Sequence, residues 1–518
     1  MHAKEVRLTG LAMAVVVMAC GPAPQPIDVV EATIGQIQEA IRAGNTTCRM
    51  VVQAYLDRIE AYDESTVNAI TVVNPNALVR ADEIDASVAA GEELGSLFCT
   101  PMLVKDNFDT HDLPTTGGSI ALMGSLPPDD AFMVRRIREA DAIVVAKTNM
   151  AEWAFSPRQT VSSSYDTTAN AYNLERVPAG SSGGTASGVA ASFSVAGLGS
   201  DTGNSIRGPS SHLALVGIRS TIGLTSRDGV IPLAFDRDIA GPMARTVRDA
   251  AKIFNVVAGY DPADPYTEAG RGRKEADYTA GLTTNALQGA RIGVLRSLVD
   301  GEDTDSAVAR VFEQAVADLA RLGAEIVDPF DFDVQAQLSR SGMFCGRFRY
   351  DMYVYLQSLG DGAPIKDVME VLETGQYSSY AERSLRRSAD SPLDVHPAEA
   401  DPPCNDYLEN EGRQAYLSDL VAAMDAGRVD AIVYPSWRSP PAHIDRARQE
   451  YSGDNSQLVA PATGMPAITV PMGFTYADLP AGLQILARPY DELLLFKYAY
   501  AYEQGTHHRR PPEGFGAL

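Results

Sequence analysis

The sequence is short of positive charge: 43 Lys and Arg stand against 67 Asp and Glu in 518 residues, a formal net charge of −24. A surface that acidic repels phosphate backbones and argues against a nucleic-acid partner. The five cysteines include no Cys-x-x-Cys pair, so a zinc site is not indicated. No Gly-x-x-x-x-Gly-Lys-Ser/Thr stretch occurs either, and a single glycine-rich loop is weak evidence for a nucleotide site. Histidine is scarce: of seven in all, those after residue 182 are His212, His396, His443, His507 and His508, and none follows a convincing strand end. No apolar run has the length of about 20 residues that a bilayer span needs.

What is present is ample core material, with 45% of residues hydrophobic and 21% charged. Lys4 and Arg7 precede an apolar run, Leu8 to Ala19, of signal-peptide length. It ends in Val17-Met18-Ala19-Cys20 and then the proline-rich Gly21 to Pro26, which resembles a bacterial lipobox, although Met18 is bulkier than usual. The expectation is a lipoprotein-type signal peptide over 1–20, a linker over 21–29 and one domain over 30–515. The mature protein is then exported, periplasmic or outer-envelope, and lipid-anchored at Cys20; plain secretion is the alternative. Cys48, Cys99, Cys345 and Cys404 allow three full disulfide pairings, of which Cys345 with Cys404 is the first to test. Four buried thiols are the alternative.

Ile34, Ile37 and Ile41 recur at helical spacing, and a second helix follows Thr46. Residues 100–106 and 142–146 read as short buried strands, with a helix around 131–140 between them. A small-residue helix after 183 leads to an apolar strand over Phe193 to Gly199, and 291–296 and 430–434 look like further strands. Alternating strand and helix signals predict an α/β fold, a large mixed central sheet flanked by helices. The polar, helical stretch 335–425 reads as a substrate-cap insertion.

Two loops of small residues stand out, Pro178 to Gly188 and Ser200 to Pro209. Glycine beside a hydroxyl suits acyl transfer, because successive backbone N–H groups then point into one concavity and hold an oxyanion. Ser205 ends such a run. Tight helix–strand packing and a phosphate cradle are the competing readings. Gly180-Ser181-Ser182-Gly183-Gly184 also satisfies Gly-x-Ser-x-Gly, with Ser182 as nucleophile. That chemistry needs a downstream acid and histidine, and Pro178 is a poor end for a central strand. With histidine unconvincing, another group must take the proton; a lysine can do so only if neutral, and Lys105 at the end of an apolar strand is placed for it. A salt bridge from Lys105 to Asp106 is the ordinary alternative.

These segments resemble the amidase signature family of Ser–cis-Ser–Lys hydrolases. The resemblance rests on Val104-Lys105-Asp106-Asn107, Leu113 to Ser119, Ala146 to Trp153, Gly180 to Arg207, Gly464 to Pro471 and Tyr500 to Pro512. Ser181 and Ser205 keep the family's interval of 24 positions. The resemblance implies that Ser205 attacks the carbonyl and that Ser181, on a cis peptide, bridges it to Lys105. It implies an oxyanion hole of the N–H groups of Thr202, Gly203, Asn204 and Ser205, with Ser182, Asp201 and Arg207 as braces. No metal or cofactor is then required, and the partner is a small-molecule or peptide amide. Asn204 stands where the family often has glycine, and Phe98-Cys99-Thr100-Pro101 replaces its usual approach to the lysine strand, a change expected to reshape the pocket wall. The amidotransferase subunit that acts on misacylated tRNA shares the fold, and export and acidity argue against it. A catalytically inactive binding lipoprotein is the other alternative, and the intact Lys105, Ser181 and Ser205 argue against that. The substrate and the oligomeric state are left open.

Overall fold

Interior strands alternate with amphipathic helices in this chain, and a computed structural model, which describes residues 23–518, shows where each goes. The signal peptide, the lipobox and Cys20 lie outside the described residues. The first helix, Ile34–Arg42, begins at Thr33, whose hydroxyl accepts from Gln36 N while the Gln36 side chain accepts from Thr33 N, a reciprocal cap. Its spaced isoleucines, Ile34, Ile37 and Ile41, are all buried. The second helix is Cys48–Tyr62, capped by Thr47.

Thirteen strands follow. The first three are β1 (Ile70–Val73), β2 (Thr100–Lys105) and β3 (Ala142–Thr148), and β4 (Thr160–Ser162) with β5 (Asp166–Thr168) makes a separate hairpin. Then come β6 (Ala196–Asp201), β7 (Val216–Arg219), β8 (Ile239–Ala244), β9 (Arg291–Val294) and β10 (Glu325–Val327). The last are β11 (Ala431–Pro435), β12 (Ala467–Thr475) and β13 (Leu479–Ala487). Eleven of them form one mixed sheet in the order β1-β3-β2-β6-β8-β7-β12-β13-β11-β9-β10. β2 is wholly buried between parallel neighbours β3 and β6, which accounts for its unbroken apolar run.

That register builds the site. Val104 pairs with Leu198 and Lys105 with Thr148, so the carboxyl ends of β2, β3 and β6 emerge together at one edge of the sheet, where α/β folds place their chemistry. The expected strand over 193–199 is displaced to Ala196–Asp201. Phe193 instead turns to pack on Phe515, and Val195 N bonds Pro101 O at the start of β2.

The opposite end of β6 gathers Glu31 and the last residues of the chain. Glu31 N donates to Ser192 Oγ at 3.2 Å, and the buried Arg58 guanidinium spans the carbonyls of Ala191 and Ser192 and those of Phe515 and Gly516. Two disulfides close the described chain: Cys345–Cys404, the pair the sequence put first, and Cys48–Cys99. The latter ties the helix Cys48–Tyr62 to the start of β2. Residues 335–425 divide in function. The helix Phe348–Ser358 covers the site side, whereas Glu411–Gly427 lays Tyr416, Leu420 and Met424 on the sheet next to β9 and β11. Among the described residues no helix is long and apolar enough to cross a membrane.

Candidate active site

Lys105 is the last residue of β2 and is fully buried. Its Nζ lies 2.7 Å from Ser181 Oγ and 2.8 Å from Ser200 Oγ. Burial drives its pKa down to about 7, against the weaker upward pull of Asp238 and Asp201. The expected alternative, a salt bridge to Asp106, is not what forms. Asp106 faces a second buried lysine, Lys147, at 3.9 Å, and accepts from Thr116 and Gly118. Lys147 in turn donates to Phe108 O and Thr115 Oγ1 at 2.7 and 2.8 Å, which pins the loop that leaves β2.

The Gly180–Ser181 peptide is cis, as the resemblance implied. Gly180 is held closely: a Cβ there would lie 2.4 Å from Ser156 O and 2.5 Å from Gln159 O, so no larger residue fits. Ser181 O accepts from Ala151 N at 3.0 Å, which binds this loop to the end of β3. The helix Gly183–Ala190 that follows is buried at all eight positions. Tight packing, the bland reading of its small residues, therefore also holds: a Cβ at Gly184 would meet Asn149 O at 2.3 Å. Ser182 is no nucleophile elbow, because no strand precedes it and its hydroxyl donates to Ser200 O at 3.1 Å.

β6 supplies the second loop. Asp201 is buried between two arginines, with Arg207 Nε and Arg219 Nη1 each 3.0 Å from its carboxylate. Burial alone raises its pKa, but the two guanidinium groups outweigh it and hold the carboxyl at about 2. The same carboxylate accepts from the backbone N–H of Ile206 and Arg207, and Arg207 reaches Gly203 O at 2.6 Å. Thr202 Oγ1 donates to Asp238, which also accepts from Leu233 N and Ala234 N. Among the described residues, the N–H groups of Thr202, Gly203, Asn204 and Ser205 have no hydrogen-bond acceptor. Four consecutive unpaired donors beside a hydroxyl can take up a developing negative charge.

Ser205 is buried apart from 4% of its surface. Among the described residues its Oγ has one hydrogen-bond partner, Asn204 Oδ1 at 3.5 Å, and Ser181 is not one. Lys105 and Ser181 are thus joined directly, and Ser205 stands on the adjoining loop. Asn204 adopts no left-handed backbone, so the loop does not need glycine there, and its Nδ2 bonds Pro157 O.

Phe98-Cys99-Thr100-Pro101 does not form a pocket wall. It lies at the amino end of β2, away from Lys105, where Cys99 meets Cys48 and Phe98 packs under Arg42. The segment that follows Ala151, whose N–H bonds the Ser181 loop, is aromatic. Trp153 and Phe155 pack edge-on against Phe348 of the covering helix, with centroids 6.1 and 4.7 Å apart. The buried carboxylate of Glu152 joins the same two parts, accepting from Ser163 Oγ at 2.8 Å and from Ser378 N at 2.7 Å.

Sequence reasoning gave no role to Ser200, Asn107, Arg219 or Asp238. Asn107 carried a usable signal: it lies two positions after Lys105 at a strand end, where side chains alternate. Arg219 and Asp238 come from β7 and from the approach to β8, and only the sheet order brings them near.

Sheet and centre define the class, an α/β enzyme that cleaves amide bonds. More particularly, the chain belongs to the amidase family, whose model matches residues 50–496. It is 33% identical to the native peptide amidase from Stenotrophomonas maltophilia, with a TM-score of 0.81 over 93% of this chain and 98% of that one. An amidase family protein from Bacillus anthracis is 28% identical, with a TM-score of 0.80 over 94% of this chain and 93% of that one. A glutamyl-tRNA(Gln) amidotransferase subunit of Gloeothece citriformis is 34% identical over 488 residues, covering 92% of this chain and 98% of that protein.

Proposed function

We propose that the chain hydrolyses small or peptide-like carboxylic amides to acid plus ammonia or amine, through an acyl-enzyme on Ser205. The observation that carries this reading is the buried contact of Lys105 Nζ with Ser181 Oγ, 2.7 Å, by a lysine without a carboxylate partner. Ser205 Oγ attacks the carbonyl carbon as its proton passes to Ser181 and the Ser181 proton passes to neutral Lys105. The N–H groups of residues 202–205 receive the oxyanion. Collapse of the tetrahedral intermediate returns a proton along the same path to the leaving nitrogen, and water then attacks the acyl group by the same route. Catalytic hydrogen bonds in an empty site are commonly long and tighten around substrate, which fits the gap between Ser205 and Ser181.

Asp201, Arg207 and Ser182 hold the two loops in this reading and do not react. The aromatic cluster of Trp153, Phe155 and Phe348, next to the Ser181 loop, is the part of the chain this reading assigns to the acyl side. The amidotransferase reading has the support of the Gloeothece relative; a net charge of −24 and the likeness to the peptide amidase favour a hydrolase. Labelling with a fluorophosphonate followed by peptide mass spectrometry tests the assignment: the adduct belongs on Ser205, and an adduct on Ser182 would overturn it.

We also infer that the protein is exported and lipid-anchored at Cys20. The apolar run Leu8 to Ala19 supports this, as do two disulfides that suit an oxidising compartment. Fatty-acid labelling of cells should mark the wild type and not Cys20→Ser.

A further inference from the structure

A neutral lysine amine carries two N–H bonds and one lone pair, and it takes a proton only along the lone pair. Two hydroxyls lie at contact distance from Lys105 Nζ, Ser181 at 2.7 Å and Ser200 at 2.8 Å. Rotation about the last bond of the side chain decides which of them meets the lone pair. If that rotation were free, the base would spend much of its time aimed at the wrong serine.

Ser200 is not free to take either part. Its main-chain carbonyl accepts from Ser182 Oγ at 3.1 Å, and its own Oγ lies 3.0 Å from Nδ2 of Asn107. Asn107 is itself fixed, since its backbone carbonyl accepts from Ile231 N at 2.8 Å and its Nδ2 is 3.4 Å from Ile231 O. All three residues are buried. The charged groups that face Lys105 are Asp238, bound to Thr202 and the turn at 233–234, and Asp201, bound to Arg207 and Arg219. Neither carboxylate forms an ion pair with the amine, so orientation falls to the hydroxyls.

We infer that Ser200, held by Asn107, is a positioning residue for Lys105: its oxygen takes one N–H of the amine, which leaves the lone pair facing Ser181. The inference rests on Lys105 being the base. During the reaction one proton leaves Ser181 Oγ for Lys105 Nζ as another leaves Ser205 Oγ for Ser181 Oγ, and Ser200 keeps its own. The ammonium that results donates to both Ser181 and Ser200.

The rate of fluorophosphonate labelling of Ser205, measured across pH, tests this without knowledge of the substrate. Ser200→Ala should label at least about tenfold more slowly on the alkaline plateau, the scale of general-base losses. Its acid limb should move to lower pH, because an ammonium short of an acceptor is disfavoured. Asn107→Asp should move the limb the other way, since a new carboxylate favours the ammonium. Ser200→Thr keeps the hydroxyl and should restore both rate and limb. A Ser200→Ala profile superimposed on the wild type, a shift of the same sign in Asn107→Asp, or failure of threonine to rescue would each overturn the inference. Should Ser200→Ala fail to fold, the direction of the Asn107→Asp shift decides alone. Lys105→Ala separates the two levels: fast labelling there removes the base itself, whereas slow labelling with an unaltered Ser200→Ala removes only the positioning role.

Discussion

The amine of Lys105 lies 2.7 Å from the hydroxyl of Ser181, although 76 positions separate them in sequence. The contact exists because β2 and β6 run parallel and because the loop bearing Ser181 is tied by its carbonyl to the residue after Met150. Sheet and loop together hold the Lys105 amine against the Ser181 hydroxyl.

Ser205→Ala should abolish amide turnover and probe labelling while thermal unfolding stays close to wild type. The lost hydroxyl makes one hydrogen bond, to Asn204, so the fold loses little. Turnover is measured against a panel of aryl, fatty, peptide and lactam-like amides, and any hydrolysis that survives the substitution counts against Ser205 as nucleophile.

Activity should rise with pH through about 7 and level off above it. As the proposed base, Lys105 works only when neutral, and burial has brought its pKa down to about 7. Below that value each pH unit costs about tenfold in kcat/KM. A flat profile between about pH 5 and about pH 8 is incompatible with a neutral-lysine base.

Asp201→Asn should destabilise the protein by about 3–5 kcal/mol, since it leaves Arg207 and Arg219 buried without their counter-charge. The pH dependence has a definite sign. The native carboxyl is held at about 2, below its ordinary value of 3.8, so its contribution is present above the unfolded pKa and is lost as pH falls towards 2. Denaturant titrations of wild type and variant should therefore converge in acid. A constant difference down to pH 2 would remove Asp201 as the cause.

Paired serine replacement of Cys345 and Cys404 should lower the melting temperature. The bond closes a separation of 59 residues, and the chain-entropy scale puts that at about 4 kcal/mol. The covering helix Phe348–Ser358 lies within the closed loop, so the Michaelis constant should rise more than kcat falls. The reverse pattern would place the effect in the catalytic loops.

Gly180→Ala should yield folded but inactive protein. A methyl group has no room between the carbonyls of Ser156 and Gln159, so the Ser181 loop must shift as a unit. Circular dichroism with probe labelling distinguishes this from general unfolding, and full labelling would show that the loop tolerates the shift.

Much of this was legible in the sequence because it is local. The apolar runs at 100–106 and 142–146 became β2 and β3, and the helices at Ile34 and after Thr46 appeared within a residue or two. Ordered motifs single out Lys105, Ser181 and Ser205, and the structure brings the first two into contact. Residue spacing alone had left Ser182 as a formal rival, and what separates the two serines is long-range: Ser182 Oγ is taken up by Ser200 O. The paired strands β12 and β13, the bridge from Cys48 to Cys99 and the arginine pair around Asp201 also depend on sheet order, which no window of sequence contains. The pocket-wall role expected of Phe98 to Pro101 failed for a related reason. Nearness to the lysine along a strand was read as nearness in space, but a strand of six residues carries its two ends about 17 Å apart at 3.3 Å per residue.

The cluster at Arg58 has a practical side. It fastens Phe515 and Gly516 to the amino end of β6, where Glu31 also bonds Ser192, while Ser181 and Ser205 lie toward the other end. A resin-bound tag fused after Leu518 would therefore hold the molecule at the end of the sheet away from Lys105 and Ser181. Captured that way, the protein should work at the rate of free protein.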